Sequence, residues 1–218
     1  MSDRRQRLQR AALYLVCEDR ADSVLCGALR GGADIVQLRI KRGSDEEILA
    51  AGRRFREACS AAGALLIVND RPDLAAALDA DGVHVGQDDM AVDRARALVG
   101  PDRLVGLSTH SPHQIEAAIG AGVDYIGVGP VHATPTKPGR PPVGLELVRY
   151  AAEHCPLPFF AIGGIDTGNV VAVRAAGARR IAVVRALTEA ADPETTAHAL
   201  RTVVTAPERS TEARVGTA

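Results

Sequence analysis

The run VQLRIK at residues 36–41 carries Gln37, Arg39 and Lys41 at alternate positions, which in a strand share one face. A cationic, hydrogen-bonding face of this kind suits a phosphate or diphosphate, with Arg39 as a planar fork and Lys41 as a point charge. A surface edge or a buried layer of ion pairs is the plainer account of the same residues. Two further apolar runs end in VND and VHVGQDD, leaving Asn69, Asp70, Gln87, Asp88 and Asp89 at or just past their ends. Carboxylates projecting from adjacent strand ends can hold one divalent cation, and Mg2+ takes one or two carboxylates together with substrate phosphates. Each aspartate would serve equally well as a helix N-cap. Ser108 closes RLVGLS as a cap or a ligand donor, and parity alone leaves His84 facing inward or outward. In AIGGI, Gly163 and Gly164 free backbone N–H groups for an anion, and Arg185 in VVRAL adds a charge. The stretch GPVHATPTKPGR cannot easily be helical, because Pro135 and Pro138 remove donors and push their predecessors into extended geometry. It reads as a stiffened loop bearing two hydroxyls and one cation, Thr134, Thr136 and Lys137.

These residues can act together only if the strand ends that carry them converge. Short β-branched runs alternate eight times with longer Ala- and Leu-rich amphipathic segments, at 13–16, 34–40, 64–69, 82–85, 103–108, 124–128, 158–163 and 180–184. Helix starts are signalled by Ser44 or Asp45, by Ser111 with Pro112, and by Asp166 or Thr167; Gly63, Gly122 and Gly177 suit the left-handed residue that closes a helix. Eight β-then-α units in 218 residues predict an α/β protein, a single (β/α)8 TIM barrel. A doubly wound open sheet is the alternative, but LVCEDR lacks the glycine-rich turn that a dinucleotide-binding first strand would carry. The division is an N-terminal extension over 1–10 of possible helical character, a barrel catalytic domain over 11–205 and a flexible C-terminal tail over 206–218. Residues with chemical jobs should then collect at the C-terminal ends of the strands, with the seventh and eighth loops favoured for phosphate.

Composition narrows the ligand class. With 46% hydrophobic and 24% charged residues the chain can bury a proper core and is not a disordered one. A net charge of −1 without a long Lys/Arg cluster argues against nucleic acid and anionic membrane, so small molecules are the expected partners. Cys17, Cys26, Cys59 and Cys155 show neither C-x-x-C pairing nor histidines at metal-ligand spacing, which fits buried thiols in a reducing compartment. The basic N-terminus precedes an apolar stretch too short for a signal peptide or a span, and a cytoplasmic location is expected. A homo-oligomer and a monomer are equally compatible with the helix faces.

With VQLRIK, VND, DGVHVGQDD, GLS, GPVHATPTK and AIGGI in this order, the chain resembles the thiamine phosphate synthase (thiamine-phosphate pyrophosphorylase) family over roughly residues 10 to 205. The resemblance implies a Mg2+-dependent transferase that joins 4-amino-5-hydroxymethyl-2-methylpyrimidine diphosphate to 4-methyl-5-(2-phosphoethyl)thiazole, or its carboxylated form, releasing diphosphate and forming thiamine phosphate. Carried over by motif, Gln37, Arg39, Lys41 and Asn69 would line the pyrimidine diphosphate site and Asp70 and Asp89 would hold Mg2+. Asp89 is chosen over Asp88 because it ends the family's G-Q-x-D pattern. Ser108 would contact the pyrimidine and leaving group, Thr134, Thr136 and Lys137 the phosphates, and Gly164, Val184 and Arg185 the thiazole phosphate. Arg39, Lys41, Ser108 and Lys137 form the catalytic set. One position departs from the family: Arg185 stands where a serine is common after the valine of the eighth strand. The rivals are a thiazole tautomerase of the same superfamily, which needs no diphosphate site, and a non-catalytic barrel that binds thiamine precursors.

Overall fold

The computed structural model describes residues 3–19, 22–134 and 141–207. Eight parallel strands close in chain order: β1 (Leu13–Cys17), β2 (Ile35–Leu38), β3 (Leu65–Asn69), β4 (Gly82–Val85), β5 (Leu104–Thr109), β6 (Tyr125–Val128), β7 (Phe159–Ile162) and β8 (Ile181–Val183). Closure is made by Leu13 of β1 pairing in register with Ile181 of β8. Around the barrel lie α1 (Asp3–Arg10), α2 (Asp22–Arg30), α3 (Asp45–Ala62), α4 (Pro72–Ala77), α5 (Val92–Val99), α6 (Pro112–Ile119), α7 (Gly144–His154), α8 (Val170–Ala175), α9 (Arg185–Thr188) and α10 (Pro193–Thr205). Each strand falls on an expected run, because strands covered on both faces must be apolar throughout.

Alternation along the strands sorts the core into two clusters. Residues such as Leu15, Val36, Leu66 and Val83 face outward beneath the helices, while Val16, Ile35, Ile67 and Leu104 fill the barrel. The chain has only three tyrosines and three phenylalanines, and Tyr14, Tyr125 and Phe160 all sit inside the barrel. Phe160 meets Tyr14 and Tyr125 edge-on, with ring centroids 5.2 and 5.7 Å away. Leu8 of α1 joins this inner cluster and plugs the end opposite the strand C-termini.

Local signals explain some boundaries and miss others. Ser44 caps α3 in a capping box with Glu47, and Ser111 caps α6 ahead of Pro112. Asp166 does not cap α8, whose N-cap is Asn169; the Asp166 carboxylate instead accepts from Gly168 N and Asn169 N in the preceding turn. β2 is shorter than its apolar run suggests, because its pairing with β1 ends at Leu38 and Arg39 N makes the last bond to Cys17 O. Arg39 and Lys41 therefore extend past the strand, and strand parity governs only Gln37 among the three. Among the described residues no helix is long and apolar enough to cross a membrane.

Candidate active site

A cavity of about 380 Å3 opens at the C-terminal ends of the strands. Its walls include Gln37, Arg39, Asn69, Ser108, Thr134, Gly164, Val184 and Arg185, eight of the sequence-derived site residues brought together from six strands and the loops after them. Thr136 and Lys137 lie outside the described residues. Tyr14, Tyr125, Phe160 and Ile162 form an aromatic and aliphatic floor, so the cavity pairs a flat apolar surface with polar groups at its rim.

Beside the cavity, Lys41, Asp70 and Asp89 form a compact charged group. Lys41 Nζ is ion-paired with Asp70 Oδ2 and lies 4.0 Å from Asp89 Oδ1. Asn69, a cavity residue, donates its side-chain amide to the same Asp70 oxygen, which ties this group to the wall. Neither aspartate caps the next helix: the N-cap positions of α4 and α5 are Arg71 and Ala91, and neither makes a side-chain cap bond. Asp89 Oδ2 accepts instead from Gly86 N at 2.9 Å, which holds the carboxylate over the turn after β4. Burial raises the Asp70 carboxyl above its ordinary value, Lys41 draws it back down and the neighbouring Asp89 raises it again. Asp70 also sits at φ 59°, a left-handed conformation that costs an aspartate energy and marks a position held by its surroundings. Two carboxylates are thus pressed together at strand ends, with Lys41 as a cation they share. Among the described residues no group of three or more His, Cys, Asp or Glu side chains converges, so other ligands to a metal would have to come from substrate and water.

On the far side of β1, the loops after β7 and β8 form a second corner of the cavity. Gly163 and Gly164 lie at φ 104° and 64°, and a Cβ at Gly163 would come within 2.5 Å of Pro130 Cα. Only glycine fits there, because its bare backbone lets this turn pack against Pro130 at a positive φ. Val184 and Arg185 follow β8 on the same wall. Arg185 Nε donates to both Glu189 carboxylate oxygens, at 2.8 and 3.0 Å, one helical turn on. Sequence reasoning named Arg185 and missed Glu189, although their spacing of four on a helix is a recognisable pairing signal.

Tyr14, Tyr125 and His110 also line the wall and were among the residues missed. The tyrosines carried a legible signal, since each falls at an inward position of a predicted strand. His110 Nδ1 is hydrogen-bonded to Gly129 O, a contact made at the end of the β5–β6 ladder. His84, left open by parity, faces inward, between Tyr125 and Ser108.

The family model described as thiamine monophosphate synthase matches residues 13–187, from the first strand to beyond the last. The chain belongs to the thiamine monophosphate synthase family. It is 51% identical over 211 residues to the thiamine-phosphate synthase of Saccharopolyspora erythraea, covering 91% of this chain and 95% of that one. It is 49% identical to the thiamine-phosphate synthase of Thermosynechococcus vestitus over 199 residues, or 90% of this chain and 57% of the relative. The chain thus spans little more than half the length of several curated relatives that it matches. Among solved structures, the thiamine phosphate pyrophosphorylase of Pyrococcus furiosus superposes with a TM-score of 0.82 at 34% identity, covering 92% of this chain and 96% of that one. The family's barrel is therefore the one observed here.

Proposed function

We propose that the protein is a Mg2+-dependent thiamine phosphate synthase, a transferase joining 4-amino-5-hydroxymethyl-2-methylpyrimidine diphosphate to 4-methyl-5-(2-phosphoethyl)thiazole or its carboxylated form. The observation that carries the reading is one aromatic-floored cavity between two anion-accepting corners, one built from β2 to β4 and one from β7 and β8. Two phosphorylated substrates set side by side need that arrangement. A tautomerase acting on the thiazole phosphate alone would have no use for the corner at Arg39, Lys41, Asp70 and Asp89.

In the reaction the C–O bond to diphosphate breaks with its electron pair leaving on oxygen. The electron-rich aminopyrimidine stabilises the resulting cation, and the thiazole nitrogen lone pair forms the new C–N bond. No protein nucleophile is required. Asp70 and Asp89 are the residues that would hold Mg2+, and the pair fits it because the ion takes one or two carboxylates together with substrate phosphates and water. When bound, Mg2+ supplies positive charge to the departing diphosphate. Arg39 offers its fork to the same phosphates, Lys41 can exchange its carboxylate contacts for a phosphate oxygen, and Lys137 adds a third cation from the loop after β6. Ser108 and Gln37 face the pyrimidine, and Asn69 positions Asp70. Thr134 and Thr136 donate to phosphate. Gly164, Val184 and Arg185 take the thiazole phosphate, which must draw Arg185 from Glu189. Juxtaposing both substrates supplies much of the remaining acceleration.

Purified protein incubated with both substrates and Mg2+ is expected to release diphosphate only when both substrates and the metal are present. Conversion of the thiazole phosphate alone would identify a tautomerase, and binding without release a sensing barrel; either result overturns the proposal.

A further inference from the structure

A continuous line of hydrogen bonds crosses the cavity floor. Gln37 Nε2 donates to Tyr14 Oη at 2.7 Å, and Tyr14 Oη lies 3.0 Å from Tyr125 Oη. Tyr125 Oη lies 3.3 Å from His84 Nδ1, and His84 Nε2 lies 3.0 Å from Ser108 Oγ. The five residues come from β1, β2, β4, β5 and β6, so the barrel alone assembles the line. Gly106 makes room for it: a Cβ there would stand 2.2 Å from Tyr125 Cζ and 2.6 Å from His84 Nδ1.

The line has a direction. Both phenols are buried, and desolvation holds each far above its ordinary pKa, so each hydroxyl keeps one proton to give. Tyr14 already accepts from Gln37, which sends its proton to Tyr125. Tyr125 then donates to His84 Nδ1, since a buried hydroxyl with nowhere to donate is costly. An imidazole that accepts at Nδ1 carries its proton on Nε2 and donates to Ser108. The Ser108 proton is left to point into the cavity. At the other end Gln37, with its amide nitrogen engaged, presents its carbonyl oxygen to the same cavity. Turning the Gln37 amide over would reverse every bond, put the His84 proton on Nδ1 and offer the cavity the opposite pattern.

We infer that this line fixes the cavity floor as an acceptor at Gln37 and a donor at Ser108, making Tyr14, Tyr125 and His84 positioning residues that select a flat heterocycle with an amino donor beside a ring-nitrogen acceptor. The inference rests on the functional reading above, in which a 4-aminopyrimidine is that heterocycle. A 4-oxo analogue, with a carbonyl in place of the amino group and N–H in place of the ring nitrogen, meets the wrong partner at both ends.

The first measurement needs no substrate. Nitrogen-15 NMR of histidine-labelled protein at mildly alkaline pH, with His84 assigned from a His84→Gln variant, is expected to show the Nε2–H tautomer; an Nδ1–H tautomer overturns the inference. The second compares binding of the 4-amino and 4-oxo pyrimidine diphosphates. Tyr125→Phe keeps the ring packing but cuts the line, and the preference for the amino compound is expected to fall about 10- to 100-fold, the usual scale of one unpaired buried polar group. Tyr14→Phe, which releases Gln37 instead, is expected to lose preference similarly. Folded variants of both that discriminate as well as the parent overturn the inference. If the parent releases no diphosphate from its two substrates, it is the functional reading that fails, while the tautomer still decides the direction of the line.

Discussion

Asp34, Asp81 and Asp124 each stand immediately before an even-numbered strand, whereas Asp70 and Asp89 follow β3 and β4 at the opposite end of the barrel. The first three are fully committed. Asp34 accepts from Ala12 N and Leu13 N, Asp81 from Leu66 N and Asp124 from Val105 N, so each stitches its strand to the one before it. Arginines complete them: Arg201 on Asp34, Arg4 and Arg56 on Asp81, Arg5 and Arg96 on Asp124. Arg4 and Arg5 belong to α1, which is thereby fastened across the barrel's closed end. At the open end Asp70 and Asp89 instead converge on the ammonium of Lys41 and lie against each other. Carboxylates matched by guanidinium and backbone donors hold a structure together; two carboxylates pressed against each other can take up positive charge from a ligand. On the proposed reading the same side chain serves stability at one end and chemistry at the other.

The largest expected effect breaks the closed end. Asp81→Ala leaves Arg56, Arg4 and Leu66 N without their partner and should cost about 3–5 kcal/mol, read as a lower denaturation midpoint, with turnover per folded molecule preserved. Asp70→Asn is the counterpart at the open end. Asparagine tolerates the left-handed backbone of Asp70, so the fold should persist while diphosphate release falls about 100- to 1000-fold, the scale of one lost charge-stabilising contact. If Asp81→Ala abolished turnover in a stable protein, or Asp70→Asn unfolded it, the distinction between the two ends would be lost. Chelating divalent metal should stop diphosphate release with little change in melting temperature, because the proposed Mg2+ would serve the reaction and not hold the barrel together. Lys137→Ala is expected to lower turnover about 100-fold and leave stability unchanged; full activity in that variant would remove Lys137 from the chemistry. Smallest is Ser44→Ala. Ser44 lies at the open end, yet it caps α3, and its loss should cost about 1 kcal/mol with no change in rate.

Much of this was legible in the chain. Strands buried on both faces must be apolar, so eight runs announced eight strands, and Ser44 and Ser111 announced helix starts through hydroxyls that satisfy free N–H groups. Asp166 carried the same signal falsely, because an aspartate can satisfy a turn as easily as a helix end. Arg39 and Lys41 do lie at the open end, although the parity that suggested a shared strand face does not reach them. The two roles open to Asp70, helix cap or member of a charged cluster, could not be separated along the chain, since both need an aspartate in that place. Glu189 turned onto Arg185, and the tyrosines linking Gln37 to His84, were missed because their importance lies in what they meet.

The sequence by itself determined the number of strands, their order and the type of residue at each strand end, because these depend on local burial patterns and turn chemistry. Only the tertiary structure decided which carboxylates are matched by arginines and which are pressed together, and that five polar residues from five strands join into one line. Those are relations between segments up to 167 residues apart, as between Arg201 and Asp34, and barrel closure alone sets their distances.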